Sequence, residues 1–365
     1  MRVILVPLED YNVRSVPIIN DMAKKGVKVL GVERALFFNT KNEVLKHFRF
    51  MLYLYNTLFY GLKHRKKIDL ILSVEPSFGI IGAVLSVFIR KPVIWDTHDG
   101  NILAFCQLLK YSFIYTKLNL LIEKFIGRIA RTIIVPSEID KQLYIEQKFK
   151  YKAKIKVIPS GINLSKIDTI KKDMNLLRRK LAIKLEKKIL IFSGGISFPP
   201  NKEAAFWIND KLAPALVEKF SQVQIIITGS VEVPQKIHPN VTFVGHVPDY
   251  FEHILASDVC LVPYEMNTGI STKLIDYLAC GRPTVTTVEV ARLFPELVDG
   301  ENVLIARDKK EFIEKTMAIL ENPVLGEKIG ANGRKVIEVH YNIEVIGKLW
   351  QEVFESCVSN PKPFI

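Results

Sequence analysis

The stretch VCLVPYEMNTGISTKLIDYLACGRPTV, Val259 to Val285, decides how this chain is read. Its first four residues, Val259 to Val262, are apolar and short enough for a buried strand. A loop containing Gly269 and Ser271 follows, then a helical span opening near Thr272, then a second apolar run at Thr284. Strand, loop, helix and strand in that order make one unit of a parallel sheet. A loop entering a helix aims backbone N–H groups and the positive end of the helix dipole at one spot. Lys273 falls in the first turn and Asp276 three residues later, so the two share a face. A cation beside N–H donors suits a diphosphate. A carboxylate one turn on suits the paired hydroxyls of a ribose. An ordinary connection with a solvated Lys–Asp pair has the same composition, so the rest of the chain must decide between them.

Short apolar runs alternate with longer amphipathic ones from end to end. Val3–Val6, Val27–Val32, Leu70–Val74, Val93–Trp95, Ile133–Val135 and Val157–Pro159 are predicted as buried strands. The charged segment Ile170–Lys188 is predicted as a helix leading into a second domain. The rhythm restarts at Ile189–Phe192, Gln224–Thr228, Val241–Val244, Val259–Val262, Thr284–Thr286 and Val303–Ile305. Two doubly wound α/β domains follow, and 365 residues suit two cores better than one. The domains are expected over 1–163 and 164–340, with a terminal helix in 341–365. Doubly wound sheets take ligands at the carboxyl ends of their strands, so the loops after these runs are the places to search.

Composition narrows the classes further. A hydrophobic content of 48% excludes a largely disordered chain. The longest charge-free apolar runs, Phe50–Leu62 and Pro76–Ile89, fall short of the roughly 18–20 residues of a spanning helix. Arg2–Val6 reads as a first core strand ended by Glu9 and Asp10, with no secretory leader, which places the protein in the cytoplasm or on a membrane surface. The four cysteines have no paired spacing and the seven histidines form no ligand motif, so neither a disulfide framework nor a protein-bound metal is expected. The net charge is +13, and residues 1–180 hold 32 Lys and Arg against 15 Asp and Glu. All the excess positive charge is therefore in the first half, as in proteins that meet nucleic acid or anionic lipid. No zinc finger, helix-turn-helix or RNP-type motif supports nucleic acid.

Several strand-end loops carry residues with chemical use. Ser193-Gly194-Gly195 follows the first run of the second domain, and Lys202 lies at the start of the next helix, where it can meet an anion. Gly229 and Gly245 close the next two runs. In the first domain Trp95-Asp96-Thr97-His98-Asp99-Gly100 follows a buried run, and Val135-Pro136-Ser137-Glu138 and Ile158-Pro159-Ser160-Gly161 follow two more. The order D-x-H-D, P-S-E, I-P-S-G, G-G, G-x-S-T-K-x-x-D resembles that of the retaining family 4 glycosyltransferases of GT-B fold, across most of the chain.

That resemblance implies two Rossmann-like domains facing a cleft, with the last helix returning to the first domain. It implies a sugar-nucleotide donor held by Gly194, Gly195, Lys202, Gly229, Gly245, Gly269, Ser271, Thr272, Lys273 and Asp276. His98 and Asp99 would stand by the transferred sugar. No strong protein base is implied, because the departing phosphate can take the acceptor proton, and no cofactor is expected beyond the sugar nucleotide itself. Three departures stand out. The family's two glutamates about eight positions apart become Thr268 and Asp276. Ile196 and Ser197 stand where many members keep an arginine. The glycine-rich acceptor loop is missing around Arg14, which is nonetheless the acceptor-side candidate. A protein that binds a sugar nucleotide without efficient transfer, and a sugar-nucleotide epimerase, stay open beside the transferase. Phe48–Lys67 and Ile102–Lys124 mix aromatic residues with lysine and suit either buried helices or a face resting on anionic lipid, in reach of a lipid-linked acceptor.

Overall fold

The structure is a computed structural model that describes residues 1–6, 22–32, 43–97, 106, 111–146, 154–170, 173–195, 198–229, 233–265 and 270–359. It divides into two compact units. The first contains Met1–Gly161 and Ile343–Ile365, with the short piece Thr268–Ile270; the second contains Ile162–Asn267 and Ser271–Asn342.

The first unit is built on a six-stranded sheet, β1 (Arg2–Val6), β2 (Lys28–Leu30), β3 (Leu70–Val74), β4 (Val93–Asp96), β5 (Thr132–Val135) and β6 (Ile155–Val157). Its order is β2-β1-β3-β4-β5-β6 and every pairing is parallel. Strands β3, β4 and β5 are buried at every residue, which is why they read as unbroken apolar runs. One face is covered by α1 (Glu43–His64), α2 (Glu75–Ile89) and α3 (Phe113–Ile129), through Tyr53, Phe78, Leu85 and Ile126. The other face packs on the terminal helix Ile343–Ser359, whose Ile346, Trp350 and Phe354 join Leu5, Leu72 and Ile94 in one core.

The second unit has the same plan. Strands β7 (Lys188–Ser193), β8 (Val223–Thr228), β9 (Val241–Gly245), β10 (Val259–Val262), β11 (Thr284–Thr287) and β12 (Leu304–Ala306) form a parallel sheet in the order β12-β11-β10-β7-β8-β9. The chain runs outward from β7 to β9, then crosses back to β10 and runs the other way. The reversal lies between β7 and β10, and a doubly wound sheet holds its ligand at such a crossing. In the first unit the equivalent reversal lies between β1 and β3.

Two expectations about elements need correction. Among the described residues of the segment Ile170–Lys188 the helix runs only over Met174–Lys180, capped by the Asp173 carboxylate. The chain then turns at Ala182, whose φ of 54° is left-handed. The reason is Arg178, which is buried and donates to the carbonyls of Leu185, Lys187 and Ala256 while pairing with Asp258 at 2.6 Å. The chain wraps around that guanidinium, and this overrides helix propensity. The run at Val157–Pro159 is also misplaced, since β6 ends at Val157. All four cysteines are buried thiols. No helix among the described residues is long and apolar enough to cross a membrane.

Candidate active site

The loops at the carboxyl ends of β7, β8 and β9 are laced together by backbone. Gly194 donates its N–H to the Thr228 carbonyl at 2.9 Å, and Gly229 donates to the Gly245 carbonyl at 2.7 Å. Gly229 has a φ of +120°, and a Cβ there would stand 2.2 Å from the Gly194 carbonyl oxygen. No side chain fits in that crossing, so Gly229 is fixed by both conformation and space.

Lys273 comes to this point from the opposite side of the reversal. It lies in the first turn of α5 (Thr272–Ala279) and meets Asn201 of α4 (Pro199–Trp207). A Cβ on Gly194 would sit 2.8 Å from the Lys273 Nζ and 2.7 Å from the Asn201 Oδ1. The missing side chain at 194 is therefore the space that the ammonium occupies. Nζ donates to Asn201 Oδ1 at 2.9 Å and to the Tyr264 hydroxyl, which in turn donates to Asn201 Oδ1. The Asn201 amide donates to the Gly195 carbonyl at 2.8 Å, tying the glycine loop to the same cluster. The ammonium also lies 4.3 Å from the Phe192 ring centroid and 4.6 Å from that of Tyr264, in reach of a cation–π attraction.

The electrostatics follow from this packing. Lys273 keeps some solvent exposure, but protein surrounds it closely, and its hydrogen-bond acceptors are neutral. Burial pushes its pKa down to about 7, against the opposing pull of Asp276. Burial likewise pushes Asp276 up to about 7, while the Tyr250 hydroxyl, Lys273 and Lys166 draw it back. Tyr250 donates to Asp276 Oδ2 at 3.1 Å. A ligand anion would therefore favour the charged form of Lys273, and hydroxyl donors the charged form of Asp276. Ser271 takes the N-cap position of α5, but its hydroxyl accepts no hydrogen bond from the helix. The first turn therefore has no side-chain cap where an anion could dock.

The residues singled out in the sequence fall into three groups. Gly194, Gly195, Gly229, Gly245, Ser271, Thr272, Lys273 and Asp276 gather at the reversal between β7 and β10 or on the strand ends beside it. Lys202 is on α4, with its Nζ 5.4 Å from the Phe206 ring centroid; its neighbour Asn201 is the residue that reaches Lys273. Arg14, His98, Asp99 and Gly269 lie outside the described residues. The strand leading to His98 is well held: Asp96 is buried, and Thr97 donates its N–H and hydroxyl to the Ile134 carbonyl at 3.0 and 3.1 Å. His246 is exposed. Among the described residues, no group of three or more His, Cys, Asp and Glu could hold a metal ion.

Four residues at these strand ends escaped the sequence reading. Asn201, Tyr250 and Tyr264 give little local signal, since the hydrogen bonds that join Tyr250 to Asp276, and Asn201 to Tyr264 and Lys273, span 26 to 72 residues. The fourth is Glu75, just past β3 at the first unit's own reversal, with a left-handed φ of 60°. The Trp95 indole N–H donates to its carbonyl at 3.3 Å and holds it there. A non-glycine residue in that region costs about 1–3 kcal/mol and is concentrated at functional sites. The dipeptide Glu75-Pro76 directly after a buried strand was its one visible trace.

Comparison with known proteins agrees with this architecture. Residues 21–166 match the family described as Glycosyltransferase Family 4, and residues 187–322 match that described as Glycosyl transferases group 1. The chain belongs with the family 4-like, group 1 glycosyltransferases of α/β GT-B fold, and it is a glycosyltransferase enzyme. A curated relative is the capsular polysaccharide biosynthesis glycosyltransferase CapM of Staphylococcus aureus. It is 26% identical over 313 residues, which are 80% of this chain and 77% of CapM. Among solved structures, sucrose-phosphate synthase from Thermosynechococcus elongatus superposes with a TM-score of 0.77 at 18% identity, covering 98% of this chain and 99% of that one. Anabaena HepE in complex with UDP superposes with a TM-score of 0.75 at 16% identity, covering 98% of this chain and all of HepE.

Proposed function

We propose that the enzyme is a retaining transferase that moves a sugar from a nucleotide-diphosphate donor to a glycan or lipid-linked acceptor, in polysaccharide or glycolipid synthesis. The observation that carries this reading is the Lys273 ammonium in the space left by Gly194, at the reversal of the second sheet and above an uncapped helix start. In this reading Lys273 and the α5 N–H groups hold the diphosphate, and Asp276 accepts from the ribose. That HepE was solved with UDP and with UDP-glucose, and that CapM serves capsule synthesis, support a sugar-nucleotide donor of this kind.

His98 and Asp99 are assigned to the sugar side of the reaction, where partial negative charge stabilises an oxocarbenium-like carbon. The departing diphosphate takes the acceptor proton, and Lys273 with the helix start neutralises the charge it gains. The proposal requires no cofactor and no protein-bound metal. With a lipid-linked acceptor, the enzyme works as a peripheral protein on the cytoplasmic face of a membrane.

A second reading is favoured by one contact. Tyr250 already donates to Asp276, the shortened replacement for a family glutamate, and Thr268 replaces the other. A protein so altered binds donor with little transfer. The test is to incubate the enzyme with labelled sugar nucleotides and candidate acceptors and to read products by NMR. Transfer with the donor's anomeric configuration kept supports the main reading, and inversion contradicts it. Tight donor binding without turnover on any acceptor favours the second reading. Release of free nucleotide with an isomerised sugar identifies an epimerase.

A further inference from the structure

Two helices of the first unit are apolar on the side that faces away from the sheet. On α1, Phe48, Leu52, Tyr55, Phe59 and Leu62 are exposed, at the spacing i, i+4, i+7, i+11, i+14 of one continuous stripe. Tyr53, Thr57 and Gly61 are buried on the opposite side. On α3, Ile114, Leu118, Leu121 and Phe125 repeat the spacing i, i+4, i+7, i+11 and are exposed, while Glu123, Ile126 and Gly127 are buried. Ile114 is 79% exposed and Leu121 60%, so these are not side chains grazing the surface. Helix α2 packs against both and exposes Val87 and Phe88 between them. Two apolar stripes so exposed on neighbouring helices mark a contact site.

Charge says what covers it. Lys63, Arg65, Lys66 and Lys67 are exposed where α1 ends, and Arg90 where α2 ends. Lys117, Lys124 and Arg128 are exposed along one flank of the α3 stripe. Among the side chains described on these three helices, no carboxylate is exposed: Glu123 is buried and Glu75 is half-buried. Apolar and aromatic stripes whose described charged flanks are cationic match an anionic bilayer, with the stripes entering the acyl boundary and the ammonium and guanidinium groups at the phosphates. A second copy in a two-fold contact would bring these cations toward their own kind.

We propose that the outer face of α1, α2 and α3 is a membrane-docking surface selective for anionic lipid. It deepens the reading of a lipid-linked acceptor by naming the surface that meets the lipid, and it stands on the first unit alone.

Flotation with vesicles of phosphatidylcholine, with or without phosphatidylglycerol, at low and high salt tests it without donor or acceptor. The wild type should float with the anionic vesicles, less so at high salt. The triple variant Leu118→Gln, Leu121→Gln, Phe125→Gln and the triple variant Lys63→Glu, Lys66→Glu, Lys67→Glu should each lose about tenfold or more in binding. All six positions are exposed, so unchanged melting is expected of both. Lys273→Ala should float like the wild type, which keeps this result separate from any failure of transfer. Equal flotation with both lipids, or binding that neither variant reduces, overturns the proposal. So does a concentration-dependent dimer abolished by the apolar variant while lipid binding persists.

Discussion

The switchback corner of the second unit and the outer helices of the first break the same rule in opposite directions. At the corner a lysine and an aspartate are held in dense packing with aromatic rings beside them. On the outer helices leucine, isoleucine and phenylalanine face water. Folded chains place most ionisable groups outside and most large apolar groups inside, so both arrangements cost stability. The corner offsets part of its cost internally, through Asn201, Tyr264 and the Phe192 ring. The helical face shows no such compensation among its described neighbours. A site that is satisfied within its own unit awaits a small ligand; one that is not awaits a surface.

Substitution at the corner should have the strongest consequence. Lys273→Ala should weaken binding of a nucleoside diphosphate by about a hundredfold, the scale of a charge-assisted contact of about 2–3 kcal/mol. Melting of the ligand-free variant should be no lower than wild type, because a poorly solvated charge has been removed. Calorimetric titration and a melting curve check both halves. Next is Gly194→Ala, whose methyl group would occupy the place of the Lys273 ammonium. It should lower diphosphate affinity about tenfold and stability by about 1–3 kcal/mol, the usual range for overpacking, read in the same two experiments.

The two ionisable groups of the corner respond to pH in opposite senses. The unfolded chain holds the Lys273 proton up to its ordinary value near 10.5, the folded chain only to about 7. The unfolded state therefore binds more protons between those values, and the penalty that Lys273 imposes is full below pH 7 and relieved as pH rises. Asp276 is the reverse. The folded chain keeps its proton to about 7 against 3.8 unfolded, so stability falls as pH rises through that window. Ligand-free stability should thus pass through a local minimum near neutrality, and Lys273→Met should flatten its alkaline side. A diphosphate favours the charged lysine, so binding above pH 7 should take up a proton. Titration in two buffers of different ionisation enthalpy reads that proton directly, and the same experiment on Lys273→Met should show none from this group.

Smallest is Asn201→Ala, which removes the shared acceptor that aligns Lys273 with Tyr264. It should cost about 1 kcal/mol of binding, near fivefold. Tyr264→Phe tests the same alignment from the other partner, and a loss in either variant exceeding that of Lys273→Ala would contradict the assignment of Lys273 as the main contact.

What the sequence disclosed, and what it hid, follows from the range of the interactions. Strands buried on both faces write themselves as apolar runs, so β3, β4 and β10 were legible within a residue. Lys273 and Asp276 were legible because a helix start has local chemistry. Asn201 and Tyr264 were not, since only the sheet order brings α4 to the end of β10. The helix expected over Ile170–Lys188 was shortened by Arg178 pairing with Asp258, a contact across 80 residues. On α1, apolar residues occur on both sides of the helix. Spacing alone could not tell the stripe of Phe48 and Tyr55 from the buried row of Tyr53, and only the position of the sheet decides it.

Lys273, at the reversal between β7 and β10, is proposed to hold the donor's diphosphate. Thermal unfolding with UDP, GDP, ADP and CMP, with and without magnesium, on wild type and Lys273→Ala tests it most directly. A ligand at about a hundred times its dissociation constant adds about 2.7 kcal/mol to the folded state, enough to be seen. One nucleoside diphosphate should stabilise the wild type with or without the metal, and should stabilise Lys273→Ala, at about a hundredfold lower affinity, by only about 0.4 kcal/mol at the same concentration. Equal stabilisation of both proteins would contradict it.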